Sequence, residues 1–252
     1  MSIRIEVIPF LIVAVGAGIS LTVLFLLFRT SVRRAVISGA VVSVILCMFF
    51  IFFFRDPERH PPEDEGVIVA GADGIVTEIT NITYSALIEL CKHSGLSDEA
   101  IKKLDKLVKQ NSVRISIFLS PFDVHVNRAP IGGQSEFLGY FPGKRHFTFL
   151  SRSSGENQHN AILIKNFRTC CLIRQIAGPV CRRVVYWHSK DRPVFLKMGE
   201  RIGMMKFGSR LDMYFPERDI IVNVHQKDRV RAGETIIAKI RGEHDIQTAG
   251  TN

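Results

Sequence analysis

Charge is nearly missing from residues 1–54 of this 252-residue chain, where only Arg4, Glu6, Arg29, Arg33 and Arg34 are ionised. That absence excludes an ordinary soluble start to the fold. Cysteine pairs are missing too. The five cysteines, Cys47, Cys91, Cys170, Cys171 and Cys181, form no Cys-x-x-Cys, and no histidine stands at zinc-finger spacing from them. An odd count with one member in an apolar run argues against a disulfide framework and a zinc site, and fits a reduced compartment. Tyrosine and tryptophan are few, with one Trp and four Tyr. The basic residues are scattered and no nucleic-acid motif is present, so nucleic acid is excluded as a partner. The net charge of +9 fits attraction to an anionic bilayer, where each Lys or Arg near the surface contributes about 1 kcal/mol. A phosphate loop, a dinucleotide fingerprint, internal repeats and low-complexity stretches are all absent.

Two apolar runs occupy the space that charge vacates. Residues 9–28 and 36–54 carry no charge over 20 and 19 positions. A helix rises about 1.5 Å per residue, so roughly 20 residues cross a hydrocarbon core of about 30 Å. The seven residues between them, 29–35, allow only a tight polar loop. A membrane hairpin is expected. A signal peptide is the alternative, but the first run is long for one and a second follows at once. Three arginines in the loop face Arg4, Arg55 and Arg59 on the other side, so the positive-inside comparison comes out near a tie.

Residues 55–66 read as a polar, Pro-rich linker, and the pattern changes after them. Short alternating or apolar segments at 67–70, 75–82, 113–119, 161–164, 170–176, 184–187, 220–224 and 235–240 read as strands. Residues 84–111 carry apolar residues at helical spacing with a break near Gly95, and Ser97-Asp-Glu-Ala marks a helix start. The fold class expected is mostly β (α+β): a barrel- or sandwich-like domain with a helical insertion, preceded by the hairpin. The domains expected are a membrane-associated hairpin at 1–54 and a second domain at 55–252.

Four segments carry the chemistry. They are Ala72-Asp73-Gly74, Phe118-Leu-Ser-Pro-Phe-Asp-Val-His-Val-Asn-Arg-Ala-Pro130, Gly178-Pro-Val-Cys-Arg-Arg-Val-Val185 and Gly203-Met-Met-Lys-Phe-Gly-Ser-Arg-Leu-Asp-Met-Tyr-Phe-Pro216. Together with Phe53-Phe-Arg-Asp-Pro57 they resemble the phosphatidylserine decarboxylase proenzyme family in its shorter form, over roughly residues 53–240.

The resemblance implies a carboxy-lyase of phospholipid biosynthesis that decarboxylates phosphatidylserine to phosphatidylethanolamine. It implies a zymogen that cuts itself between Gly208 and Ser209 into a β chain of residues 1–208 and an α chain of residues 209–252. The cofactor implied is a covalent pyruvoyl group derived from Ser209, which forms a Schiff base with the substrate amine and serves as its electron sink. Glycine before the serine admits a strained backbone and close approach of the hydroxyl. Ser209 needs a base. His125 is the candidate, with a free imidazole pKa of about 6.5, and Asp73 would orient it in the manner of a triad. A histidine bonded within a turn and an Asp-Gly turn are the plainer readings of those two.

One position departs from the longer members of the family. They carry a second histidine, assigned to self-cleavage, where this chain has Arg128. Arg128 becomes a candidate for gripping a substrate phosphate or carboxylate, with a structural ion pair as the alternative. Asn157 and Asn160 lie in a segment resembling a polar family motif and receive no role. His146, His159 and His188 show no metal spacing.

The implied partners are a phospholipid, a membrane and the two chains of one proenzyme. Self-association is left open. The expected place is the cell membrane, peripheral or hairpin-anchored, with the catalytic domain on the cytoplasmic side. Two rival functions remain. One is a related serine phospholipid as substrate. The other is a membrane-anchored adaptor without enzymatic activity, because Val230-Arg-Ala-Gly-Glu-Thr-Ile-Ile-Ala-Lys-Ile240 looks like a lipoyl or biotinyl carrier hairpin.

Overall fold

A computed structural model describes residues 2–104, 107, 109–144, 146, 156–178, 184–206 and 208–242. Cys181, residues 179–183 of the third motif and Phe207 of the fourth lie outside them. The chain forms two compact units, residues 1–58 and 59–252.

The first unit is a pair of antiparallel helices, α1 (Ile8–Leu27) and α2 (Val32–Phe53). Pro9 stands in the first turn of α1, where its missing N–H costs nothing. The seam is built from small residues. Ala14 and Ala35 are fully buried, and a Cβ on Gly18 would overlap the Gly39 carbonyl. Thr22 Oγ1 donates to the Gly18 carbonyl at 3.0 Å and Ser43 Oγ to the Ala14 carbonyl at 3.4 Å. Small residues and hydroxyls of this kind pack helices where no hydrophobic drive separates them from lipid. Both helices are long and apolar enough to cross a bilayer by length and composition. Helix α2 begins four residues before its charge-free run, because Arg33 and Arg34 fit its first turn. Charge marks the end of the apolar run, not of the helix. Strand β1 (Ser2–Ile3) pairs antiparallel with β2 (Arg55–Asp56) and closes the open end of the hairpin.

The second unit is strand-rich. In chain order it contains β3 (Val67–Val69), β4 (Gly74–Ile82), α3 (Tyr84–His93), α4 (Asp98–Lys103), β5 (Ser112–Leu119), β6 (Val126–Arg128), β7 (Gly133–Phe141), β8 (His159–Lys165) and β9 (Cys170–Ile176). After them come β10 (Val184–Tyr186), β11 (Val194–Leu196), β12 (Arg201–Met205), β13 (Ser209–Pro216), β14 (Ile220–Val222), β15 (Arg229–Val230) and β16 (Ile236–Ile240). The largest sheet has the order β11-β7-β8-β9-β13-β5-β4-β15, with smaller sheets β10-β12-β6 and β14-β16-β3. One face of the large sheet presents Ile115, Ile117, Ile162, Ile173, Leu211 and Met213 to a core shared with Ile68, Met205 and Ile237. The other presents Leu163, Leu172 and Tyr214 to Leu87, Leu104 and Leu107 of the helical insertion.

The mostly β class, the N-terminal apolar hairpin and the helical insertion are therefore as expected. The side chains of Thr83 and Ser97 accept from Ala86 N–H and Ala100 N–H and start α3 and α4. The break between the helices falls at Gly95, with φ +83°. Part of the segment read as a linker is docked in the second unit. Arg59 has a side chain that is mostly covered, and a Cβ on Gly199 would overlap Pro61.

Candidate active site

Four of the five implicated residues collect at the C-terminal end of β5, by register and by hydrogen bonds, and the fifth follows on β6. Strand β13 lies on one side of β5, with Ser209 opposite Leu119. Strand β4 lies on the other, with Ile75 opposite Phe118. A Cβ on Gly74 would overlap the Phe118 carbonyl, so the glycine after Asp73 is what lets the two strands meet there. The chain then leaves β5 through a turn in which the Asp123 carboxylate accepts from Ser120 N–H at 2.8 Å and Ser120 Oγ at 2.6 Å. That turn delivers His125.

His125 is fully buried. Its Nδ1 lies 2.9 Å from the Asp123 carbonyl. A carbonyl only accepts, so Nδ1 carries the proton and Nε2 keeps the lone pair. The His125 carbonyl accepts from Met205 N–H at 3.1 Å, four residues before Ser209. Ser209 is also fully buried, and its hydroxyl has no hydrogen-bond partner among the described residues. Leaving such a group unsatisfied costs about 1–3 kcal/mol. Gly208 has φ +61°, while a Cβ there would meet nothing within 4 Å. Backbone conformation, not space, is what requires glycine at this position.

Asp73 is locked by both oxygens. Oδ1 accepts from Ala232 N–H at 2.8 Å and Oδ2 from Arg59 Nη2 at 2.7 Å. Arg128 is 5% exposed. Its N–H donates to the Gly71 carbonyl at 2.9 Å, and its guanidinium Nη1 to the Gly199 carbonyl at 3.0 Å.

A polar chain that sequence reasoning missed shares the face of Ser209. Asn160 Nδ2 donates to Gln175 Oε1 at 3.1 Å, and Gln175 Nε2 donates to Asn127 Oδ1 at 2.8 Å. Gln175 stands opposite Leu211, two residues along the same face from Ser209. Asn127 is fully buried, and its Nδ2 has no partner among the described residues. The available signal was polar residues at inward positions of otherwise apolar strands. Asn157 is a structural clamp: Nδ2 donates to the His146 and Ala177 carbonyls at 2.7 and 2.9 Å, and Oδ1 accepts from His146 N–H at 2.8 Å.

The family model of phosphatidylserine decarboxylase matches residues 46–238, a span that contains every residue of this cluster. The chain belongs to the phosphatidylserine decarboxylase family. A phosphatidylserine decarboxylase proenzyme of Carboxydothermus hydrogenoformans is 39% identical over 79% of this chain and 83% of its own length. Proteins of the same name from Amoebophilus asiaticus and Ruegeria pomeroyi are each 38% identical, over 81% and 79% of this chain and 80% and 83% of their own. The chain is thus a decarboxylase, as the motifs implied, and the adaptor alternative is set aside.

Behind Ser209, the decarboxylase carries a buried charge network on the opposite face of the sheet. Arg210 Nε donates to Asp212 Oδ1 at 2.6 Å, and its Nη2 to Glu78 Oε2 at 3.0 Å and Ser116 Oγ at 2.8 Å. Arg114 also pairs with Glu78. Burial pushes the Glu78 carboxyl up, but Arg114, Thr80 and Arg210 outweigh it and hold it below the usual range. His159 shares this face. Burial and the Arg174 guanidinium push its imidazole down to about 3. Its Nε2 accepts from Arg174 Nη2 at 3.0 Å and its Nδ1 donates to the Asn157 carbonyl at 2.8 Å. His159 is a neutral network residue and no part of the face that holds Ser209.

Proposed function

We propose that the chain is a proenzyme that cuts itself between Gly208 and Ser209 and then decarboxylates phosphatidylserine to phosphatidylethanolamine. The observation that carries this reading is the buried Ser209 hydroxyl, without a hydrogen-bond partner among the described residues, directly after a glycine at φ +61°. A hydroxyl so placed, behind a backbone able to bend toward it, suits attack on the preceding carbonyl. The residues present therefore fit a pyruvoyl group made at position 209.

Ser209 Oγ adds to the Gly208 carbonyl carbon, its proton passes to a base, and the C–N bond breaks, leaving an ester and a free amine on residue 209. Removal of the Cα proton of residue 209 then expels the ester oxygen as the Gly208 carboxylate. The dehydroalanine left behind tautomerises, and water hydrolyses it to a pyruvoyl group with release of ammonia. His125 is the base, because its Nδ1 is committed to the Asp123 carbonyl and Nε2 keeps the lone pair. Asp73, held in place by Arg59 and the Ala232 amide, stabilises the imidazolium that results. The pyruvoyl carbonyl supplies the electron sink that loss of CO₂ from an amino acid needs. His125 Nε2 then returns a proton to the carbon that CO₂ leaves. Arg128, whose guanidinium holds the Gly199 carbonyl, is the candidate to grip a substrate phosphate or carboxylate.

Residues 55–252 form the decarboxylase domain in this reading, and residues 1–54 anchor it at the cell membrane from the cytoplasmic side. The test is Ser209→Ala, which should give an uncut and inactive chain while the parent yields chains 1–208 and 209–252. An active Ser209→Ala protein overturns the reading.

A further inference from the structure

The segment that joins the two units has a side chain inside the second one. Arg59 is the first residue of that unit, its side chain is 9% exposed, and its two terminal nitrogens go to different carboxylates. Nη2 donates to Asp73 Oδ2 at 2.7 Å and Nη1 to Glu234 Oε2 at 2.8 Å. Glu234 belongs to the turn that also supplies the Ala232 amide to Asp73 Oδ1 at 2.8 Å. The same turn reaches the neighbourhood of Arg128, because Gly233 N–H donates to the Ala70 carbonyl at 2.9 Å and a Cβ on Gly233 would lie 2.9 Å from Arg128 Cδ. Pro61 pins the segment from the other side by packing on Gly199, whose carbonyl Arg128 holds.

A planar guanidinium with fixed donors is suited to such a bridge, and an ammonium is a point charge without that geometry. A carboxylate beside a buried cation and an amide donor stays ionised and in one orientation. We infer that Arg59 is a positioning residue for self-cleavage: it bridges Asp73 to Glu234, across the cut that separates residues 1–208 from 209–252, and so fixes the carboxylate that the maturing site depends on. This rests on the proposed role of Asp73. Arg59 itself touches no reacting atom.

The full-length chain tests this in cell-free synthesis, by the rate at which residues 209–252 appear as a separate chain. Arg59→Met should slow maturation at least tenfold, while the uncut protein stays folded with a lowered but still cooperative thermal transition. Arg59→Lys keeps the charge beside Asp73 without the fork and should recover part of the rate, and guanidinium ion added to the Met variant should accelerate it. A Met variant that matures at the parental rate overturns the inference. So does slow maturation that neither lysine nor guanidinium restores, because that is the mark of a purely structural role. If the Met variant does not fold, the Lys variant decides alone, and maturation below a hundredth of the parental rate overturns the inference. Asp73→Asn run beside them separates the two layers. If it matures normally, the reading of Asp73 falls. If it is blocked while Arg59→Met matures normally, only the role of Arg59 falls.

Discussion

At the scale of single residues, two jobs meet on His125. Its Nε2 lone pair suits it to activate Ser209, and a protonated Nε2 suits it to quench the carbon that CO₂ leaves. His125→Ala separates them. An uncut variant means that the imidazole serves maturation. A variant that cuts normally but turns over at least about 10²-fold more slowly means that it serves only decarboxylation. A variant that cuts and turns over like the parent removes His125 from the site. Gly208 makes a narrower prediction. Left-handed backbone costs an ordinary L-residue about 1–2 kcal/mol, so Gly208→Ala should slow maturation and Gly208→Asn should slow it less. Equal rates in all three chains contradict the conformational argument. His159 predicts a pH effect. Its imidazole sits at about 3 against an ordinary 6.5, so as the pH falls the unfolded chain takes up that proton first. The stability due to neutral His159 is complete above about 6.5 and is lost progressively toward about 3. The urea midpoint should therefore drop between pH 7 and pH 5, and His159→Gln should flatten part of the drop. An identical pH slope in parent and variant contradicts this.

At the scale of elements, β13 is placed so that the chain, once cut as proposed, would stay whole. All eight of its residues are buried. It pairs with β5 from Ser209 to Pro216 and with β9 from Arg210 to Tyr214. With the proposed cut made, the new end of the small chain would be the first residue of a central strand, clasped to Glu78 and Ser116 of the large chain by Arg210, which Asp212 holds from the same strand. The small chain should co-elute with the large one until denaturant is added. Asp212→Leu leaves Arg210 short of a partner and should cost about 3–5 kcal/mol in urea unfolding, whereas an unchanged midpoint would contradict the clasp. The strand was hard to read as one. Leu211, Met213 and Phe215 alternate properly, but Arg210 and Asp212 on the other face look solvated in sequence and are buried as a pair. Strand β7 was missed for a different reason, since Gly133 and Gly139 interrupt it and a register shift falls between Phe137 and Gly139. Apolar alternation was enough in β5, whereas β6, β11, β12 and β15 are too short to display it and went unread.

At the scale of the whole molecule, the hairpin and the catalytic unit answer to different forces. Apolar length alone announced the helices, and their small-residue seam through Gly18 and Gly39 is a packing feature that runs of hydropathy do not display. Removing residues 1–54 should release the protein from membranes at moderate salt, leaving only weak binding by the basic surface. Tight residual binding in high salt would mean that the hairpin is not the main anchor. In the second unit, the segments that hold the proposed site residues Ser209, Gly208, His125, Asp73 and Arg128 were legible as local motifs. Arg59, Asn127 and Gln175 were not, because their partners lie 14, 48 and 15 positions away and only folding brings them together. The central claim is that this sheet is built to be cut at one bond and to keep both pieces. Intact mass of the purified, active protein tests it most directly. The account predicts two chains, residues 1–208 and a 209–252 chain whose first residue carries a pyruvoyl group in place of serine. A single uncut chain of 28.4 kDa in fully active protein would contradict it.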